Sequence, residues 1–180
     1  MIIFDTETTG LPKKKNQPMD EHPEIVEFAA IKVDFNTLER IDSMEFLCKP
    51  MRPSDEGAFK THGITEEMLK DEKPFKAHYL WLAKFFLGAR YLAAHNVNFD
   101  EYMLWTEFTR MDKITKFPWP PERICTVEKS MSIQNGKRSK LDFLVEHYLG
   151  IKKRKGSHRA MKDVEDLYEV IKCMRADNLL

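Results

Sequence analysis

The chain has 180 residues, 42% of them hydrophobic, enough for one buried core and short for two, so residues 1–180 are expected to form a single domain. Its 29 Lys and Arg residues equal its 29 Asp and Glu residues, which excludes a polyelectrolyte tail but leaves a nucleic-acid ligand open. Cys48, Cys125 and Cys173 are too few and too scattered for a disulfide scaffold or a thiolate metal cluster. No basic leader precedes a long apolar segment, and no stretch approaches the ~20 apolar residues of a membrane span. A soluble protein in a reducing cytoplasmic setting, with no membrane partner, is the expectation. The neutral total conceals an uneven distribution: residues 1–111 carry −5, residues 112–160 carry +7 and the remainder carries −2.

The opening MIIFD reads as a short buried strand that delivers its acids at the carboxyl end, before the turn-prone TTGLP. A second strand is predicted over Glu24 to Val33, where EIVEFAAIKV is too uniformly apolar for an exposed edge, and a third from Ile41 to Cys48. Hairpin pairing of these three gives an antiparallel unit at the start. Ser54 is the expected cap of a short helix through Phe59, and Thr65 caps the next. The spacing of Phe75, Tyr79, Leu82, Ala83 and Phe86 predicts a helix over Pro74 to Leu87, closed by Gly88. YLAAHN is a short strand and FDEYMLWTEFTR a helix, with Phe99, Met103 and Phe108 as buried candidates.

FPWPP breaks any helix and marks a surface crossing. Arg123 to Val127 is predicted as a last strand. Ser139 is the expected cap of a helix through Tyr148 that Gly150 stops, and IKKRKGS is a basic loop leading to a final amphipathic helix in RAMKDVEDLYEVIKCM. Three strands followed by alternating helices and short strands define a mixed α/β sheet flanked by helices. No GxGxxG or Walker A sequence occurs.

Asp5 and Glu7 are two residues apart on a strand, so both carboxylates face one side and repel unless a cation joins them. Oxygen ligands of this kind suit Mg2+ or Mn2+. Asp100 follows the strand in AAHNVNF, Asp163 lies one turn into the final helix, and His158 sits five residues before it. Together they can form a two-metal centre with a histidine placed to accept a proton from water.

FDTETTG at 4–10, AHNVNFD at 94–100 and SHRAMKD at 157–163 resemble the three motifs of the DnaQ-like, DEDDh family of 3′→5′ exonucleases, whose fold is ribonuclease H-like. The resemblance implies that Asp5, Glu7, Asp100 and Asp163 hold two Mg2+ or Mn2+ ions, and that His158 is the general base. The reaction so implied releases nucleoside 5′-monophosphates from single-stranded or frayed DNA 3′ ends. The alternatives are a 3′→5′ exoribonuclease and a catalytically silent nucleic-acid-binding module.

The same resemblance suggests Thr8 and Thr9 as contacts for the terminal sugar or phosphate, and His62, Gly63 and Ile64 as walls of a base pocket. Phe99 is divided between packing and substrate, Asn96 between turn formation and a phosphate bond, and Arg159 between solvent and a nonbridging oxygen. Two basic clusters, Lys137, Arg138 and Lys140, then Lys152, Lys153, Arg154 and Lys155, are candidates for phosphate steering. A DNA polymerase or a second copy of the chain remains open as a protein partner.

Overall fold

The computed structural model describes residues 1–12, 18–152 and 158–180. Lys153, Arg154 and Lys155 lie outside them. The apolar run at the start forms β1 (Ile2–Thr8), which pairs antiparallel with β2 (Ile25–Val33), itself antiparallel to β3 (Arg40–Leu47). Two four-residue strands, β4 (Tyr91–Ala94) and β5 (Glu122–Cys125), add in parallel on the other side of β1, giving the order β3-β2-β1-β4-β5. The antiparallel unit and the mixed α/β sheet expected from the sequence are both present.

Strand alternation sorts the core into two layers. Ile2 and Phe4 face a cluster that includes Phe86, Met103 and Phe108, from α3 (Tyr79–Phe86) and α4 (Val97–Arg110). Met1 and Ile3 face the opposite cluster with Leu144, Val164, Leu167 and Ile171, from α6 (Leu141–Leu149) and α7 (Ala160–Ala176). The odd-numbered face continues into Asp5 and Glu7, so these acids project toward α7. In register, Glu7 stands opposite Glu27 of β2, and a bulge follows between Glu7 and Thr8.

Several local expectations are corrected by competition for the same backbone groups. Asp55, rather than Ser54, caps α1 (Glu56–His62) by accepting from the Ala58 amide, and the helix runs past Phe59 to His62. A carboxylate is the stronger acceptor at this end of the helix dipole. Thr65 caps α2 (Glu66–Leu69) as expected. The helix predicted over Pro74 to Leu87 divides into a 3-10 turn, Phe75–His78, and α3.

Strand β5 ends at Cys125, and Val127 belongs to α5 (Thr126–Lys129). Ser139 caps no helix: its hydroxyl is 2.6 Å from that of Ser130, and Lys140 occupies the N-cap position of α6 without a side-chain bond. Gly150 closes α6 as the sequence suggests.

Helix α4 crosses the sheet edge on which β1 ends. Near its start Asp100 bonds Thr6 of β1, and two turns later Glu107 accepts from the Ile25 amide of β2 at 3.1 Å. Arg110 then donates to the carbonyls of Met19, His22 and Pro23. No helix among the described residues is long and apolar enough to cross a membrane.

Candidate active site

The site begins with Asp5 and Glu7 at the end of β1. Ligand oxygens of Asp5, Glu7 and Asp163 lie within 4.8 Å of one another. Asp163 is brought there by α7, which packs along β1 and β2 through Val164, Leu167 and Ile171. Asp100 arrives from the other side of the strand. Its Oδ1 accepts from both the Thr6 amide at 3.0 Å and the Thr6 hydroxyl at 2.7 Å, which fixes one oxygen.

These acids carry the electrostatic signature of a cation site. Burial raises Asp5 well above the usual carboxylate range, and the charges of Asp100, Asp163, Glu7 and Glu27 push it further. Glu7 is pushed up to about 8 by burial and by Asp163, Glu27 and Asp100, against the opposing charge of Arg159. Burial raises Asp100 to about 7 even though the two Thr6 bonds favour its ionised form. Such shifts report acids that are buried and held close to one another. An all-oxygen donor set of this kind fits a hard divalent ion.

His158 is fixed at both ends. Its amide donates to the Thr61 carbonyl at 2.9 Å, which ties the entry to α7 onto α1, and its Nδ1 is 2.9 Å from Asp163 Oδ2. An ionised carboxylate can only accept, so the proton of a neutral ring lies on Nδ1 and Nε2 keeps its lone pair.

The peripheral residues are placed less uniformly. The Thr8 hydroxyl donates to the Gly10 carbonyl at 2.8 Å, and that of Thr9 accepts from the Glu24 amide at 2.9 Å. Gly10 approaches Asp55 closely: a Cβ there would lie 2.5 Å from an Asp55 carboxylate oxygen, so that side chain would have to shift. Gly63 ends α1 in the left-handed region at φ 66°, and His62 Nδ1 accepts from the Ile64 amide at 2.9 Å. Burial holds the His62 pKa below its usual value. Ile64 packs with Leu69 on Val26, the residue at the β2 bulge, so the 62–64 loop is seated on the sheet beside β1. Phe99 packs partly buried against the core cluster.

Asn96 adopts a left-handed turn at φ 75° and also accepts from Arg138 at 2.9 Å. A cleft of about 480 Å3 contains Asp5, His158 and Asp163 together with Asn96, Arg138 and Lys140. Lys137 and Lys152 are exposed and stand apart from that lining.

Arg159 turns to an acid rather than to the cleft. Its guanidinium forms a two-pronged pair with Glu27, with Nε at 2.9 and 3.1 Å from the two carboxylate oxygens, and Glu27 also accepts from the Ala160 amide at 2.8 Å. Glu27 is 0% exposed. The apolar character of EIVEFAAIKV hides it, although alternation with Ala29 and Ile31 places an acid on the core face. Thr6, Thr61 and His95 are likewise invisible to sequence reasoning, because their roles arise from neighbours distant along the chain.

The fold and the carboxylate edge define a class: a ribonuclease H-like domain with a mixed sheet flanked by helices and a candidate metal site. A family model described as "Exonuclease" matches residues 2–171, and the chain belongs to the DnaQ-like DEDDh 3′→5′ exonuclease family. It is 34% identical over 177 residues to DNA polymerase III subunit epsilon of Haemophilus influenzae, covering 94% of this chain and 64% of that one. With the subunit epsilon of Pasteurella multocida the identity is 33%, covering 94% and 65%. The chain thus spans about two thirds of the length of these relatives. Among solved structures it is similar to the nuclease domain of 3′hExo, a DEDDh family member bound to rAMP, with TM-score 0.72, 19% identity and coverage of 98% and 91%. It is also similar to Exonuclease X in complex with 5′ overhanging duplex DNA, with TM-score 0.64, 24% identity and coverage of 98% and 91%.

Proposed function

We propose that this protein hydrolyses single-stranded or frayed DNA from the 3′ end, releasing nucleoside 5′-monophosphates, with two Mg2+ or Mn2+ ions held by Asp5, Glu7, Asp100 and Asp163. The observation that carries this reading is the meeting of three carboxylates, Asp5, Glu7 and Asp163, beside His158, with Asp100 held by Thr6 on the other side of β1 and its charge acting on Asp5. When bound, the ions supply Lewis acidity toward water and phosphate and neutralise the acids. The protein's own residues do the rest. His158 takes the proton of attacking water at Nε2, and Asp163 steadies the resulting imidazolium through Nδ1. Thr6 keeps Asp100 aimed, and the Glu27–Arg159 pair holds the start of α7 so that His158 and Asp163 keep their spacing.

Thr8, Thr9 and the 62–64 loop border the space for the terminal nucleotide, beside Phe99. Arg138 and Lys140, which line the cleft with Asp5, His158 and Asp163, offer positive charge to the phosphate chain. The names of the epsilon relatives support action beside a DNA polymerase. The test is digestion of 5′-labelled and 3′-labelled single-stranded DNA and RNA with Mg2+, with Asp5→Asn as the inactive control. Metal-dependent release of mononucleotides from DNA 3′ ends is expected. Internal cuts, preference for RNA, or binding without hydrolysis would each reject the proposed specificity or chemistry.

A further inference from the structure

The loop carrying Arg138 and Lys140 is held in an unusual way. Both side chains are exposed, yet Ser139 between them is buried, and it is fastened from two directions. Its hydroxyl meets Ser130, and its carbonyl lies 3.0 Å from His95 Nε2. A carbonyl only accepts, so in the neutral ring Nε2 carries the proton and Nδ1 faces the Thr126 hydroxyl, 3.0 Å away, as an acceptor. Thr126 is itself buried as the first residue of α5, directly after β5, and also approaches the Ala94 carbonyl at 3.4 Å. His95 therefore bridges the start of α5 and the basic loop from the turn that joins β4 to α4. The next residue in that turn, Asn96, accepts from Arg138. One turn thus holds the backbone between the two cations and the Arg138 guanidinium, and four residues later it delivers Asp100.

We infer that His95 is a positioning residue that fixes Arg138 and Lys140 as a wall for the substrate phosphate next to the scissile one. The inference rests on the exonuclease reading above and assigns a role that the catalytic acids do not share. Arg138 and Lys140 line the same cleft as Asp5, His158 and Asp163, so a strand whose scissile phosphate meets the acids would bring its neighbouring phosphate toward these two cations. Long, exposed cations lose much rotamer freedom on binding, and a pinned backbone reduces that cost. His95 also lines this cleft, but both of its ring nitrogens are engaged, by the Thr126 hydroxyl and the Ser139 carbonyl, so it acts through Ser139.

The experiment compares two substrates with the whole chain and saturating Mg2+: a single-stranded oligodeoxynucleotide, and the p-nitrophenyl ester of thymidine 5′-monophosphate, which has only the scissile phosphate. His95→Phe keeps the ring volume and removes both nitrogens. It should raise the oligonucleotide KM about fivefold near 0.1 M salt and leave kcat and ester hydrolysis at wild-type values. The slope of log KM against log salt should fall by about 0.7 for each phosphate that is no longer neutralised. His95→Gln, whose amide nitrogen can reach the Ser139 carbonyl, should restore most of the KM, and His95→Phe should add nothing in an Arg138→Ala, Lys140→Ala background. An unchanged KM and salt slope overturns the inference, as does an equal loss on the ester or a fully additive effect in the double variant. Absence of wild-type hydrolysis on both substrates overturns the exonuclease reading and this inference with it, a result distinct from any difference among variants.

Discussion

Two sets of acids, buried or half-buried, occupy the same sheet edge and behave as opposites. Glu27 and Glu107 each face an arginine and each accept a backbone amide: Glu27 pairs with Arg159 and caps the start of α7, and Glu107 pairs with Arg110 at 3.0 Å and receives the Ile25 amide. Asp5, Glu7 and Asp100 share that edge, yet none forms an ion pair with lysine or arginine among the described residues. Burial alone therefore does not separate a structural acid from a ligand. The partner does. An acid supplied with an arginine holds elements together, whereas acids that face one another store repulsion that a divalent ion relieves.

Substitution should separate the two sets, beginning with the largest effect. Asp5→Asn is expected to lower kcat at least ~1000-fold, about 4 kcal/mol in the barrier, while the metal-free protein keeps or gains thermal stability because one repelling charge is gone. A clear fall in metal-free melting temperature would place Asp5 with the structural acids. Glu27→Ala should do the reverse, costing about 3 kcal/mol in denaturant unfolding because Arg159 and the Ala160 amide lose their acceptor. A stability change under about 1 kcal/mol would break the contrast.

Metal and pH give the next effect. Glu7 and Asp100 have folded pKa values raised to about 8 and about 7, above their ordinary values, so the folded state binds protons more tightly than the unfolded one. In metal-free protein their contribution is most favourable at acid pH and is lost as pH rises from about 4 toward 8. Mg2+ at a hundredfold excess over Kd should add about 2.7 kcal/mol, or roughly 5–10 °C, and more at pH 8 than at pH 6 because the ion competes with those protons. Differential scanning calorimetry with EDTA and with Mg2+ at both pH values checks this. A metal shift larger at pH 6 would contradict it. The smallest effect is expected from Glu107→Gln, which keeps an acceptor for the Ile25 amide and loses the charge opposite Arg110. About 1 kcal/mol of stability should go, with the Mg2+-induced shift unaltered; an altered shift would join Glu107 to the metal set.

Much of this molecule is readable from sequence because the determining signals are local. Alternation in IIFDTET puts Asp5 and Glu7 on one face, and the period of Val164, Leu167 and Ile171 orients α7 so that Asp163 shares the sheet side of Asp5. The three acid-bearing motifs are each short enough to survive as words. Ser54 and Ser139 mislead for the opposite reason. Both are good capping residues by type, but Asp55 competes successfully at α1 and Ser130 engages Ser139 from nine residues away. Arg159 shows the same limit: its position beside His158 suggests a phosphate partner, whereas a strand 132 residues earlier supplies the carboxylate it holds.

The sequence by itself determined the strand faces, the main helices and which acids and histidine are candidates for the site, since these depend on side-chain periodicity and on chemistry carried by single residues. Only the tertiary structure decided which acids meet cations and which meet one another, because pairing depends on which distant elements are brought within a few ångströms. The Glu27–Arg159 lock, the Thr6 hold on Asp100 and the His95 latch on Ser139 all belong to that second kind.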